Sequence, residues 1–154
     1  MIISVLILVG VISFIMASSS DAPGSSTEHT SPNWLLVQDE IIETRMSKSV
    51  QTRIGDMVKV HFEDAELTDA DLSSIVEWIN TVPDSQIMEI QQGFNHIKAG
   101  ILIKLDNKRE LLLQYNGQHI IMTRKGFDEQ HAMVKYVIEQ ENLKHFFDQK
   151  LESL

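Results

Sequence analysis

The sequence predicts an α+β domain, with a mostly antiparallel sheet of about four to six strands covered by two or three helices. Two patterns support this fold class. Alternating apolar residues indicate strands at 57–63, 101–105 and 111–115. Apolar residues at helical spacing indicate helices at 72–79 and 143–151. A third observation places the domain behind a transmembrane or signal segment, because the first charged side chain is that of Asp21.

The segment at residues 1–20 is long enough to cross a bilayer. It contains MIISVLILVGVISFIMA followed by three serines, and about 20 helical residues reach about 30 Å, the thickness of a hydrocarbon core. The alternative is a cleaved signal peptide, because Ala-Ser-Ser at 17–19 suits a cleavage site. No lysine or arginine precedes the apolar stretch, which favours an uncleaved anchor, and Asp21 and Glu28 follow it. These charges favour a domain outside the cell.

The rest of the chain is predicted to hold a linker and one domain. Residues 21–30 are rich in Ser, Thr, Pro and Gly, which indicates a flexible linker. Residues 31–154 then suffice for a single α+β domain with one core. The formal net charge of −9 argues against nucleic acid as a partner. The lack of cysteine excludes disulfides, thiol nucleophiles and thiolate zinc sites.

A helix is predicted at the start of the domain. Ser31 and Pro32 resemble an N-cap and a first helical position, and NWLLVQDEIIETRM places apolar residues at approximately helical spacing. The next segment, MVKVHFE, alternates, which predicts a half-buried strand with Val58, Val60 and Phe62 on its buried side.

Residues 65–80 combine acidic side chains with an apolar run, a pattern shared by calcium loops and helix starts. With Thr68 as N-cap, Asp71 completes a capping box, and Leu67 and Leu72 form a hydrophobic staple. A calcium loop beginning just upstream requires glycine and glutamate where the chain has aspartate and isoleucine. The pattern therefore predicts a helix start.

The following segments predict a short strand within 85–91 and then a meander. In GILIKLDNKRELLLQYNGQHIIMTRKG, Asn-Gly at 116–117 suits a two-residue type I′ turn. That turn places Leu113 opposite Ile120, and Leu111 opposite Met122. The reverse side of this pair is half apolar, and the first helix is its predicted cover.

The C-terminal part predicts one more strand and a closing helix. AMVKYVIE alternates, and ENLKHFFDQKLESL places Leu143, Phe146, Phe147 and Leu151 on one helical face. We expect these aromatic side chains to pack in the core.

No pattern in the sequence predicts a catalytic, cofactor-binding or metal-binding residue. His61 and Glu63 have the H-x-E spacing of zinc deaminases, but that site also needs cysteine ligands. The remaining histidines carry no ligand motif; those in the predicted domain are His96, His119, His131 and His145.

The order of these elements resembles that of a known family. VKVHFEDAELTDADLSSIVEWIN precedes the meander LDNKRELLLQYNGQHIIMTRKG, and VKYVIE and a terminal helix follow. In this order the chain resembles the YfmQ family of small Gram-positive proteins, which also begin with an apolar span. The resemblance implies a bacterial, membrane-associated protein and assigns no functional residue.

The leading functional expectation is a membrane-anchored, extracytoplasmic, noncatalytic interaction domain that binds a protein or a cell-wall component. The chain shows no nucleophile elbow, metal motif or phosphate loop. Two alternatives stay open. One is a secreted soluble factor released by signal cleavage, and the other is a small hydrolase whose Ser, His and Asp residues converge only in the fold. No cofactor and no nucleic-acid partner is expected.

Overall fold

The structure, a computed structural model, describes residues 35–127, 129 and 132–152. The predicted anchor at 1–20 and linker at 21–30 lie outside the described residues, as do Ser31 and Pro32.

The described residues form one sheet with two helices. The elements are β1 (Ile41–Ile54), β2 (Met57–Ala65), α1 (Asp69–Asn80), β3 (Ile87–Ile90), β4 (Ala99–Leu105), β5 (Glu110–Tyr115), β6 (Ile120–Lys125), β7 (Met133–Ile138) and α2 (Glu141–Glu152). The strands follow the order β2-β1-β4-β5-β6-β7-β3, and neighbouring strands pair antiparallel. The predicted α+β class with a mostly antiparallel sheet is therefore confirmed. The sheet has seven strands rather than the predicted four to six, because residues 41–54 form a strand instead of the predicted first helix.

The core lies between one face of the sheet and the two helices. Phe147 of α2 stacks on Tyr115 of β5 with ring centroids 5.2 Å apart. Trp78 of α1 lies 6.1 Å from Phe146 of α2, measured between ring centroids. Ile75 of α1 is fully buried. The apolar faces predicted for both helices are thus the faces that pack on the sheet.

The start of α1 has the predicted capping box. The Asp71 backbone N–H donates to Thr68 Oγ1 at 3.1 Å, and the Thr68 N–H donates to Asp71 Oδ2 at 3.0 Å. Leu67 and Leu72 both pack against the core. These contacts confirm a helix start at the segment that also resembled a calcium loop.

The helix predicted across residues 33–46 is wrong. A single 3-10 turn at Gln38–Glu40 leads directly into β1, which begins at Ile41. Strand β1 pairs with β2 on one side and with β4 on the other. Pairing on both sides, together with the β-branched residues of β1, outweighs an imperfect helical stripe.

The expected burial of the apolar side of β2 is also wrong. The strand exists where it was predicted, but Val58, Val60 and Phe62 are 60%, 54% and 58% exposed. These positions alternate with Ala65, which packs against the core, so they face away from the helices. Alternation alone identified the strand but not the side that the helices cover.

The register predicted for the β5–β6 hairpin is shifted by two residues. Leu113 lies opposite Met122, and Leu111 lies opposite Arg124. A shift of two residues keeps each side chain on its predicted face, because side chains alternate with a period of two.

The shift arises because the loop contains four residues, 116–119, rather than two. Asn116 Oδ1 accepts the backbone N–H groups of Gln118 at 2.9 Å and His119 at 2.8 Å. Gly117 adopts a φ of +99°. The Asn116 side chain thus caps a wider loop, which its Asn-Gly sequence alone does not distinguish from a tight turn.

Candidate interaction surface

The face of the sheet opposite the helices, here called the open face, is formed by alternate positions of every strand. On the central strands it presents Gly100, Leu102 and Lys104 of β4 and Glu110, Leu112 and Gln114 of β5. Leu102 lies directly opposite Leu112. Both leucines are half-buried, although neither α1 nor α2 lies on this side.

One end of the open face is buried, and Phe94 lies near it. Ile121 and Val137 lie opposite each other on β6 and β7, and both are buried. The loop that leads from β3 to β4 contains Phe94, whose ring centroid lies 5.4 Å from that of His119. The first helix predicted to cover this side is not formed at residues 35–46, where a 3-10 turn leads into β1.

The rest of the open face carries a groove. Two adjoining depressions of about 320 and 160 Å³ share Leu102 and Leu112 as their floor. We call them together the open-face groove; its other lining residues are Arg45, Ser47, Phe62, Asp64, Gly100, Glu110, Thr123, Lys125 and Met133. The groove therefore crosses the sheet from the outer strand β2 to β7.

Glycine at position 100 helps to keep the groove open. A Cβ atom there would lie 3.2 Å from the backbone carbonyl oxygen of Leu113. Gly100 lies between Ser47 of β1 and Gln114 of β5. The missing side chain leaves backbone at the floor of the groove, where an extended ligand can approach closely.

Ion pairs border the apolar floor on both sides; they are Arg45–Asp64, Lys104–Glu43 and Lys125–Glu110. Arg45 holds Asp64 through two hydrogen bonds of 2.8 and 3.0 Å. The hydrogen bond from Arg45 lowers the pKa of Asp64. Exposed pairs of this kind add little stability, but charges of both signs at a rim favour partners with complementary charges.

The outer part of the open face is apolar and exposed. Val58, Val60 and Phe62 occupy successive open-face positions on β2, and Met133 at the opposite end of the groove is 55% exposed. Isolated exposed apolar residues are ordinary, but a contiguous set beside a groove is typical of an interaction site.

Three of the described histidines, His61, His119 and His145, lie beside polar side chains. His61 Nε2 lies 2.8 Å from Glu63 Oε1, and both side chains are substantially exposed. His119 Nδ1 lies 3.6 Å from Glu139 Oε1, and His145 contacts Gln149. His131 lies outside the described residues. No group of three potential metal ligands occurs in the part of the chain that the structure describes.

Among the described residues, a tyrosine with a strongly raised pKa lies in the core. Burial, followed by the neighbouring Asp148 carboxylate, raises the pKa of Tyr115 to about 12. The Tyr115 hydroxyl donates to Asp148 Oδ1 at 2.8 Å under α2. This hydrogen bond satisfies a buried hydroxyl and fastens α2 to the sheet, on the side opposite the open-face groove.

The sequence indicated part of this surface. It predicted a half-apolar reverse side of the meander, which includes Leu112 and Ile121. It missed the contribution of Phe62, because the apolar side of β2 was assigned to the core. A glycine inside a strand indicates that another backbone or a ligand can approach closely. At Gly100 this signal could be assigned to the groove only once the strand pairing was known.

Within residues 35–127, 129 and 132–152, no helix is long and apolar enough to cross a membrane. Comparisons of the chain with family models, with curated proteins and with solved structures found no match.

Proposed function

We propose that the chain is a membrane-anchored, extracytoplasmic and noncatalytic interaction domain of the YfmQ kind, and that its open-face groove binds a protein partner. The observation that carries the binding proposal is an apolar floor between ion pairs on the face of the sheet opposite α1 and α2. Soluble domains usually cover such a face or make it polar.

The chemistry of the groove suits a protein segment. Leu102 and Leu112 offer apolar contacts, and Met133 provides an adaptable one because its thioether side chain is flexible. The rim presents carboxylates and cations together, so it matches a partner with apolar side chains between charges of both signs. A formal net charge of −9 disfavours polyanions such as nucleic acid.

The anchoring proposal rests on the sequence. Residues 1–20 carry no charged side chain, and their length suits a bilayer. A short Ser- and Gly-rich linker would then hold the domain near the membrane while leaving its open face accessible.

Photo-crosslinking in native membranes tests the binding proposal. A photoreactive amino acid replaces Leu102 at the groove floor in one variant and Glu77, exposed on α1, in the control. We expect a discrete crosslinked protein from position 102 that is absent from position 77. The mass of the product distinguishes a protein partner, which gives one product of defined mass, from a wall polymer, which gives a series of products of different masses.

Adding Leu112→Asp to the position-102 variant should abolish that product. The melting temperature of this variant should remain above the temperature of the crosslinking experiment, which shows that the domain is still folded. The groove is not the binding surface if positions 102 and 77 give the same crosslinked products, or if Leu112→Asp leaves the position-102 product unchanged.

A further inference from the structure

Strand β2 is an edge strand of the described sheet. It contains nine residues and pairs with β1 on one side, and among the described residues no strand pairs with its other side. It contains no proline, and its charged residues are Lys59, Glu63 and Asp64. The opposite edge strand, β3, has only four residues. Proteins usually shorten, bend or charge such edges because they are templates for pairing with another chain.

The free backbone groups of β2 can be assigned from its turn. Gly55 and Asp56 form a two-residue loop closed by Ile54 and Met57, and a two-residue loop closes on a hydrogen-bonded pair. Alternate residues beyond that pair therefore direct their N–H and C=O groups outward; they are Val58, Val60, Phe62 and Asp64.

An independent contact supports this assignment. The Ser49 N–H donates to the Lys98 carbonyl at 2.7 Å, on the β4 side of β1. Ser49 lies opposite Phe62, and residues opposite each other in a non-hydrogen-bonded pair both turn their backbone groups away from that pair. Phe62 therefore turns its backbone toward the free edge.

We propose that β2 pairs antiparallel with β2 of a second copy of the chain, about a twofold axis that passes beside His61. This register places Lys59 opposite Glu63 of the second copy and Val60 opposite Phe62 of the second copy. Opposite charges and apolar pairs at facing positions stabilise an antiparallel pair. The register also places Val58 opposite Asp64, whose charge is already neutralised by Arg45.

Neighbouring registers are less complementary. An axis at Val60 places Asp56 opposite Asp64, two like charges. An axis at Phe62 places Lys59 opposite Ala65 and Val60 opposite Asp64, so the Lys59–Glu63 pairing is lost. Like charges directly opposite each other destabilise a strand pair. The Lys59–Glu63 pairing therefore favours self-pairing at His61.

The pairing has a consequence for the whole surface. A twofold axis perpendicular to the sheet keeps the open faces of both copies on the same side. Two seven-stranded sheets would join into one, with Val60 and Phe62 of both copies at its centre and an open-face groove on either side.

Disulfide trapping tests the register, and the natural chain contains no cysteine to interfere. His61→Cys, Lys59→Cys and Glu63→Cys are introduced singly into the full chain, which is purified in detergent and oxidised mildly. In the proposed register His61 faces itself in a close pair that suits a disulfide. Two copies of Lys59 lie about 13 Å apart, too far for one.

We expect roughly tenfold more linked dimer from His61→Cys than from Lys59→Cys or Glu63→Cys alone, given the distance limit of a disulfide. An equal mixture of the Lys59→Cys and Glu63→Cys chains should link. Absence of the His61→Cys dimer, or equal linking by Lys59→Cys alone, would overturn the proposal.

Two further variants test the noncovalent dimer by sedimentation. Val60→Pro removes an outward N–H without breaking a bond to β1, so it should give a folded monomer. Lys59→Glu should weaken the dimer, and adding Glu63→Lys should restore it. A parent chain that sediments as a monomer, or a swap that fails to restore the dimer while each variant stays folded, contradicts the proposal.

Discussion

At the scale of single residues, Asp71 connects two elements that are distant in sequence. Its carboxylate accepts the Thr68 backbone N–H and also the Lys150 ammonium group of α2, at 2.9 Å. The Lys150 ammonium group also donates to the Glu66 carbonyl at 3.1 Å. The capping box thus fastens the start of α1 to the end of α2, which the sequence pattern alone did not indicate.

Loss of the capping box at Thr68 and Asp71 should lower the stability of the domain. Thr68→Ala should lower the free energy of unfolding by about 1 kcal/mol, because one α1 N–H loses its acceptor. Asp71→Ala should cost more, since it also removes the partner of Lys150. Urea unfolding measures both, with Ser74→Ala within α1 as control. A calcium-dependent rise in melting temperature of the parent would instead support a calcium loop.

Acid should weaken the same contact. Burial opposes ionisation of Asp71, but hydrogen bonds from Thr68 and Lys150 outweigh it and lower the pKa of Asp71 below its usual 3.8. A carboxylate with a lowered pKa stabilises the folded state above that usual value, and this contribution is lost as the pH falls toward the folded pKa.

The melting temperature of the parent should therefore fall more steeply below pH 3.8 than that of Asp71→Asn, which has no such proton to bind. Other carboxylates with lowered pKa, such as Glu139, contribute equally to both proteins and cancel in the comparison. Parallel melting curves over that pH range would argue against the Asp71 contacts.

At the scale of elements, the sequence correctly predicted those elements that depend on residues close together in the chain. The capping box, the strands of the meander and the apolar face of α2 each depend on residues close in sequence, and each is confirmed. The segment that became β1 depends on β4, more than 50 residues away, for half of its pairing. A single sequence does not reveal that partner, so the imperfect helical spacing was misleading.

The hairpin loop at 116–119 offers a test at this scale. Asn116→Gly removes the acceptor for the Gln118 and His119 N–H groups, and it should lower stability by about 1 kcal/mol. A two-residue type I′ turn would tolerate glycine there, because that turn requires a positive φ.

Asn116→Asp serves as the control, because it keeps the acceptor oxygen and should retain most of the stability. The stabilities of Asn116→Gly and Asn116→Asp are compared with that of the parent by thermal unfolding. If Asn116→Gly is as stable as the parent, the four-residue loop and its register are wrong.

At the scale of the whole molecule, the proposed function requires the domain to lie on the extracytoplasmic side of the membrane. The flanking charges of the apolar segment favour that orientation. Protease added to intact cells stripped of their wall should therefore cut within residues 18–30 and release the domain. Protection until the membrane is opened would contradict an external domain, and a mature chain beginning near Ser20 in the medium would indicate a cleaved signal peptide.

The central claim is that the open face binds a partner rather than stabilising the fold. Met133 is 55% exposed at one end of the groove, so Met133→Asp should change the melting temperature little. Glu77→Lys on α1 is the matched surface control. The parent, Glu77→Lys and the double variant Met133→Asp with Leu112→Asp are extracted from native membranes with mild detergent.

The decisive measurement is the sedimentation of the extracted chain. We predict that the parent and Glu77→Lys sediment in a complex larger than a dimer of the chain, and that Met133→Asp combined with Leu112→Asp shifts the folded chain to the size of its own dimer or monomer. An unchanged sedimentation coefficient in the folded double variant would contradict the account.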